Sequence, residues 1–150
     1  MQRLVIAAAA VAALATALPA AAQFQKPADA VKYRKAGFTL MAAHFGRMGA
    51  MAQGRVPFDA TSAAANAELV TTLSKLPFAG FVEGTSGTEK GQPKPNVWAE
   101  RAKFDEAAKK MQDEVAKLAA AAKAGPDAFK AAFGNAAGTC KSRHDNFRVQ

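Results

Sequence analysis

The chain has 150 residues and a mass of 15.6 kDa, the size of one domain. Half of the residues are hydrophobic, 21% are charged, 39 are Ala and only 8% are aromatic. Abundant helix formers with few strand formers exclude a β-sandwich, a barrel and a disordered chain. The formal charge of +8 raises the question of an anionic partner. Lys and Arg are interleaved with Asp and Glu, however, as in Lys109-Lys110 before Asp113-Glu114, and no basic stripe carries aromatics. Nucleic-acid binding is not expected; the charge suits solubility and encounters with acidic redox partners.

The first 22 residues read as a signal peptide. Arg3 supplies a positive start, Leu4 to Leu18 is an uncharged apolar run, and Ala20-Ala21-Ala22 gives a small-residue cleavage pattern ahead of Gln23. The run is shorter than the ~20 residues of a membrane-spanning helix. Cleavage after Ala22 leaves residues 23–150, exported, off the membrane and charged +7.

Four helices are predicted in the remainder. Pro27 suits a first turn, and the first helix runs from Ala28 to Gln53 before Gly54. Its seam is Val31, Arg34, Phe38, Met41, Phe45, Met48 and Ala52. Asp59 caps a second helix, Ala60 to Lys75, whose stripe is Leu69, Leu73 and Leu76 and which Pro77 stops. Residues 78–95 read as a long loop with four glycines, a length that more often serves function than connection. Asn96 is expected to cap a third helix to Ala124, with Val97, Phe104, Ala108, Met111, Val115, Leu118 and Ala122 on one face. A fourth begins at Pro126 and aligns Phe129, Phe133, Ala136, Cys140, His144 and Phe147. The expected fold is all-α, an antiparallel four-helix bundle.

Cys140 is the only cysteine, so no disulfide forms within the chain, and an exported free thiol is a liability unless it is buried, paired between chains or consumed by covalent chemistry. His144 lies one helical turn beyond it. The run Cys140-Lys141-Ser142-Arg143-His144 is the haem-attachment pattern C-x-x-C-H with its second cysteine replaced by Arg143. Taken alone, the pair reads equally as a small buried thiol and a histidine near a helix end. A protease dyad is poorly supported, because both residues share one helix without an orienting third group.

Further segments carry a resemblance. Gln23-Phe24, Asp29-Ala30-Val31-Lys32-Tyr33-Arg34, Leu40 through Met48, Leu73-Ser74-Lys75-Leu76-Pro77-Phe78, Phe81, Trp98, Ala131-Ala132-Phe133-Gly134, Cys140-Lys141, His144-Asp145 and Phe147-Arg148 occur in the order found in cytochrome c′. The chain resembles that family over nearly all of residues 23–150. The resemblance implies a periplasmic haem protein with no enzymatic activity, handling electrons or binding nitric oxide or carbon monoxide at five-coordinate iron. It implies His144 as the proximal iron ligand and Cys140 as the source of one thioether. Arg148 matches a basic residue beside that histidine. Arg34 and Lys35 fall near the haem propionates, and Phe38 and Phe81 match positions over the open iron face. Met41, Met48 and His44 are read as core or surface residues rather than ligands. Two alternatives stay open because of Arg143: a bundle without haem, structural or binding another ligand, and a b-type protein holding haem without a covalent bond. A homodimer is also expected, from a second row on the first helix, Ala30, Tyr33, Gly37, Leu40 and His44, and from the family's pairing through its first two helices.

Overall fold

Helix formation follows the predicted punctuation closely. The computed structural model describes residues 23–150; the expected signal segment lies outside the described residues. Pro27 opens α1, Pro27–Ala52, with Asp29 in its first turn, where the helix dipole favours an acid. Past its end Gly54 takes φ 69°, a left-handed conformation open to glycine at no steric cost. Helix α2, Ala60–Leu73, is capped by Asp59, whose Oδ1 accepts from the Ser62 amide at 2.5 Å. A 3₁₀ turn, Pro77–Gly80, follows.

The third stretch differs from the single helix expected. It is three stacked pieces: α3, Asn96–Ala99; α4, Arg101–Ala116; and α5, Leu118–Ala124. The first break is at Glu100, with φ −120° and ψ 44°, and the second at Lys117, which stays close to helical. Asn96 does not cap; its Nδ2 donates to the Asn146 carbonyl at 3.1 Å, tying the start of this stretch to the last helix. The apolar register survives both breaks, and Val97, Phe104, Ala108, Met111, Val115, Leu118 and Ala122 are all buried. Helix α6, Pro126–Phe147, completes the antiparallel four-helix bundle.

Two apolar clusters divide the interior. The larger joins Met48, Val70, Met111, Leu118, Phe129 and Phe133 and runs from the middle of the bundle to the end where α1 leads into α2 and α5 into α6. The other is aromatic and sits at one end, where Phe104 lies 4.8 Å from Phe81 and 5.3 Å from Phe147 between ring centroids.

The stripe expected on α2 is corrected. Ala63, Ala64, Asn66, Ala67 and Val70 form its buried face, while Leu69 and Leu76 are exposed. Helix α2 packs on both α1 and α5, and small side chains let their axes approach where a leucine row would hold them apart.

The second row on α1 is corrected too, since three of its members face inward. Ala30 is fully buried, and a Cβ on Gly37 would lie 2.9 Å from Pro77 Cγ. The third, His44, donates from Nδ1 to Asn66 Oδ1 at 2.8 Å; Asn66 Nδ2 is already committed to the Ser62 carbonyl, which fixes that oxygen as the acceptor. The row mostly serves the monomer's own packing of α1 on α2 and the 3₁₀ turn after it, and Leu40 alone among it is a large exposed apolar side chain.

Candidate cofactor site

At the aromatic end of the bundle, α1, residues 81–93 and the C-terminal turns of α6 enclose a cavity of about 790 Å³. That volume is typical of a site for an organic ligand or cofactor. The first half of the α1 seam supplies one wall with Val31, Arg34, Phe38 and Met41, while Lys35 lines it beside that seam. Farther along the same face, Met48 and Ala52 enter the bundle core instead.

The loop is held in place from three directions. Arg34 is buried, and its Nη1 donates to the Gly80 carbonyl at 3.0 Å and to Thr85 Oγ1 at 2.6 Å, while Nη2 donates to the Thr85 carbonyl at 2.8 Å. The same guanidinium lies 5.0 Å from the Phe81 ring centroid. From the far side, Trp98 Nε1 donates to the Phe81 carbonyl at 3.3 Å. The third attachment is to the C-terminus. Lys94 N donates to the Phe147 carbonyl, Gly91 N to the Val149 carbonyl and Val149 N to the Gln92 carbonyl, at 2.8–3.0 Å. Arg148 Nε adds a bond to the Gly91 carbonyl at 3.3 Å. A run that reads as irregular loop is thereby fixed as the cavity's outer wall.

His144 lines the cavity, half-buried, and its ring nitrogens have no hydrogen-bond partner among the described residues. Burial first, then the positive charges of Arg143 and Arg148, push its pKa down to about 4. At neutral pH it is therefore a neutral imidazole with a free lone pair, the form that binds a metal. Among the described residues no cluster of three or more His, Cys, Asp or Glu could hold a metal ion by itself. A metal here would need other ligands, such as those of a macrocycle.

Of the residues singled out from the sequence, Arg34, Lys35, Phe38, Phe81, His144 and Arg148 all line this cavity. Cys140 does not. It packs against the central apolar cluster, partly buried, and burial pushes its thiol pKa up. His44 is engaged with Asn66, away from the cavity, whereas Met41 does face it. Reasoning from sequence missed Thr85 and Gly91, which hold the wall. The glycines and length of residues 78–95 were the only signal. It also missed the position of Arg143. That side chain is 5% exposed and its guanidinium carbon lies 5.1 Å from the Phe38 centroid and 5.6 Å from that of Phe78.

A four-helix bundle with one neutral histidine facing an aromatic and cationic cavity defines a helical cofactor-binding protein. Comparison with known proteins narrows the class. Residues 29–148 match the cytochrome C′ family. Cytochrome c′ from Rubrivivax gelatinosus is 53% identical over 127 residues, covering 84% of this chain and 98% of that protein. The corresponding figures for cytochrome c′ from Alcaligenes xylosoxydans xylosoxydans are 47%, 84% and 98%. The crystal structure of the Rubrivivax protein superposes with a TM-score of 0.77, covering 84% of this chain and 99% of that one. A nitric oxide complex of a variant of the Alcaligenes xylosoxidans protein gives 0.77 at 45% identity, covering 85% and 98%. The chain belongs to the cytochrome c′ family, whose members carry c-type haem.

The residues present fit that group in most respects. A neutral imidazole faces the cavity, aromatic rings line it, and Lys35 and Arg148 stand ready for carboxylates. The departure is at position 143, where a guanidinium replaces the thiol of C-x-x-C-H.

Proposed function

We propose that this chain is an exported, periplasmic haem protein of the cytochrome c′ type that transfers electrons or binds diatomic gases and catalyses no reaction of its own. The observation that carries the reading is His144, a neutral imidazole without a protein partner on the wall of an aromatic cavity of about 790 Å³. Bound haem supplies an iron that changes oxidation state and accepts nitric oxide or carbon monoxide on an open face.

In this reading His144 is the only protein ligand and the iron is five-coordinate. Phe38 and Phe81 shield the opposite side with rings that offer no hydrogen-bond donor. Met41 also faces the cavity, but a methionine packed among aromatic and aliphatic neighbours serves as core. Arg34 spends three of its five donors on the loop, so its first task is to fix the wall; Lys35 and Arg148 are freer to meet propionates. Cys140 contributes one thioether, and Arg143 excludes a second. Cleavage of the signal segment after Ala22, acidic redox partner proteins and a homodimer belong to the same reading. The dimer surface is Leu40 with Leu69 and Leu76. The contacts Gly37–Pro77 and His44–Asn66 bracket Leu40 and set it level with the stretch of chain that carries the other two.

One observation favours a b-type variant as the second reading: Cys140 lies off the cavity wall, with its sulfur against the bundle core. The absorption spectrum of the exported protein, followed by acid–acetone extraction, separates the cases. A Soret band retained by the protein after extraction supports the single thioether. Extractable haem supports the b-type protein, and no Soret band at all overturns both in favour of a haem-free bundle.

A further inference from the structure

Arg143 brings a full positive charge into the cavity wall. The residue is buried and lines the cavity beside His144, its neighbour on α6. Its guanidinium packs against the rings of Phe38 and Phe78, and aromatic faces stabilise a cation without cancelling its charge. The Nε is buried with no hydrogen-bond partner, and Arg143 joins none of the ion pairs among the described residues. A guanidinium remains protonated at neutral pH.

The other cations on this wall are differently placed. Lys90 is exposed, so water and salt screen it. Lys35 and Arg148 stand ready for propionates, and Arg34 falls in the region expected beside them. Position 143 is instead that of the second thiol in C-x-x-C-H, which bonds a vinyl group. Vinyl groups and propionates occupy opposite edges of a protoporphyrin. Glu89, the one acidic side chain among the lining residues, is exposed and accepts from Gln92 Nε2, while Asp145 is paired with Lys141. No negative group of the cavity therefore offsets Arg143.

We propose that Arg143 is a fixed positive charge that tunes the redox state of the cofactor, favouring ferrous over ferric iron. The proposal rests on the haem reading and gives a task to the residue at which the attachment pattern departs. Reduction takes one electron from the redox partner protein of that reading, moves no proton and makes or breaks no bond to the protein. The charge of the iron–porphyrin core falls by one unit, from a net cation to a neutral core. An uncompensated cation in a low-dielectric wall disfavours the form with the larger positive charge.

The test uses the full exported chain prepared without haem, as wild type, Arg143→Gln, Arg143→Leu and Lys90→Gln. Each is titrated with ferric haem and with zinc protoporphyrin, which has the same periphery and a neutral core. The haem-loaded forms are then taken through a redox titration at high salt. Both substitutions at 143 should raise the ratio of ferric haem to zinc porphyrin affinity about tenfold. That is the scale of a unit charge acting across a cavity of this size at an effective dielectric of about 20. The same tenfold should appear as a midpoint potential lower by about 59 mV for this one-electron couple. Lys90→Gln removes an equal charge from an exposed position on the same wall and should move neither quantity. Gln and Leu differ in length and polarity, so an equal shift in both variants marks charge rather than shape. Affinities for both porphyrins that change together at a fixed potential leave Arg143 a packing role and overturn the proposal. Haem binding with neither quantity altered overturns it too, and both results leave the haem reading intact. A wild-type chain that binds neither porphyrin overturns the haem reading and the tuning role with it.

Discussion

Arg34 Nη1 donates to Thr85 Oγ1 at 2.6 Å, across 51 residues of sequence, and the same hydroxyl donates onward to the Val82 carbonyl at 2.7 Å. This buried junction ties the first helix to the loop that walls the cavity. Replacing Thr85 by Val removes the acceptor while keeping the shape, and leaves a buried guanidinium donor unpaired. The expected cost is about 1–3 kcal/mol. Urea unfolding of Thr85→Val measures it, and amide exchange should accelerate selectively over residues 81–93.

Gly80 allows the close approach on which that junction depends. A Cβ there would stand 2.6 Å from the Ala30 carbonyl oxygen and 2.8 Å from Arg34 Cβ, and backbone cannot swing aside as a flexible side chain does. Gly80→Ala is expected to destabilise the chain by about 1–3 kcal/mol through overpacking. Gly46→Ala meets nothing within 4 Å and should be neutral or slightly stabilising. Thermal melts of the two variants side by side check the contrast.

Phe38 meets Phe78 and Phe81 edge-on, with centroids 6.0 and 6.1 Å apart, and carries the Arg143 guanidinium on its face. It is only partly buried, so Phe38→Ala should cost less than the roughly 3–5 kcal/mol of a fully buried phenylalanine. In the haem-loaded protein the truncation should speed carbon monoxide association by widening access. An unchanged association rate would leave Phe38 a packing residue and no more.

Acid should weaken the fold through His144. Its folded pKa of about 4 lies below the ordinary 6.5, so the unfolded chain binds the proton more readily. The contribution is fully present above pH 6.5 and is lost as pH falls from there towards 4. Protonation also removes the lone pair a metal needs, so haem retention should fail in the same direction. Denaturation midpoints of haem-free wild type and His144→Gln, compared at pH 7 and pH 4.5, should show the larger acid loss in the wild type.

Leu40 and Leu69 are 53% and 48% exposed, large apolar side chains on the adjoining outer faces of α1 and α2. The double substitution Leu40→Glu with Leu69→Glu should shift sedimentation from dimer to monomer and leave helicity unchanged. A wild-type chain that sediments only as monomer at tens of micromolar, where modest interfaces still hold, would remove the dimer from the proposed function.

The sequence by itself determined the bundle and most of its cofactor wall. Helix limits could be read because prolines, glycines and an Asp cap act within a few residues of where they stand, and the third stripe because period 3.6 survives small breaks. His144 stood out because its spacing from Cys140 is a local property of one helix. What only the tertiary structure decided depends on neighbours distant in the chain. Leu69 turned outward because α1 and α5 pack against the opposite face of α2, which is mostly alanine there, and Leu76 lies past the end of that helix. The row from Ala30 to His44 became a seam because Pro77 and Asn66 meet it. Residues 87–93 became a wall because the backbone around Phe147 and Val149 accepts and supplies their hydrogen bonds. Arg143 packs against two phenylalanine rings because those rings, from α1 and the 3₁₀ turn, converge on α6 at one point. Burial and pairing of a long cation are set by that convergence, and no pattern within its own helix encodes it.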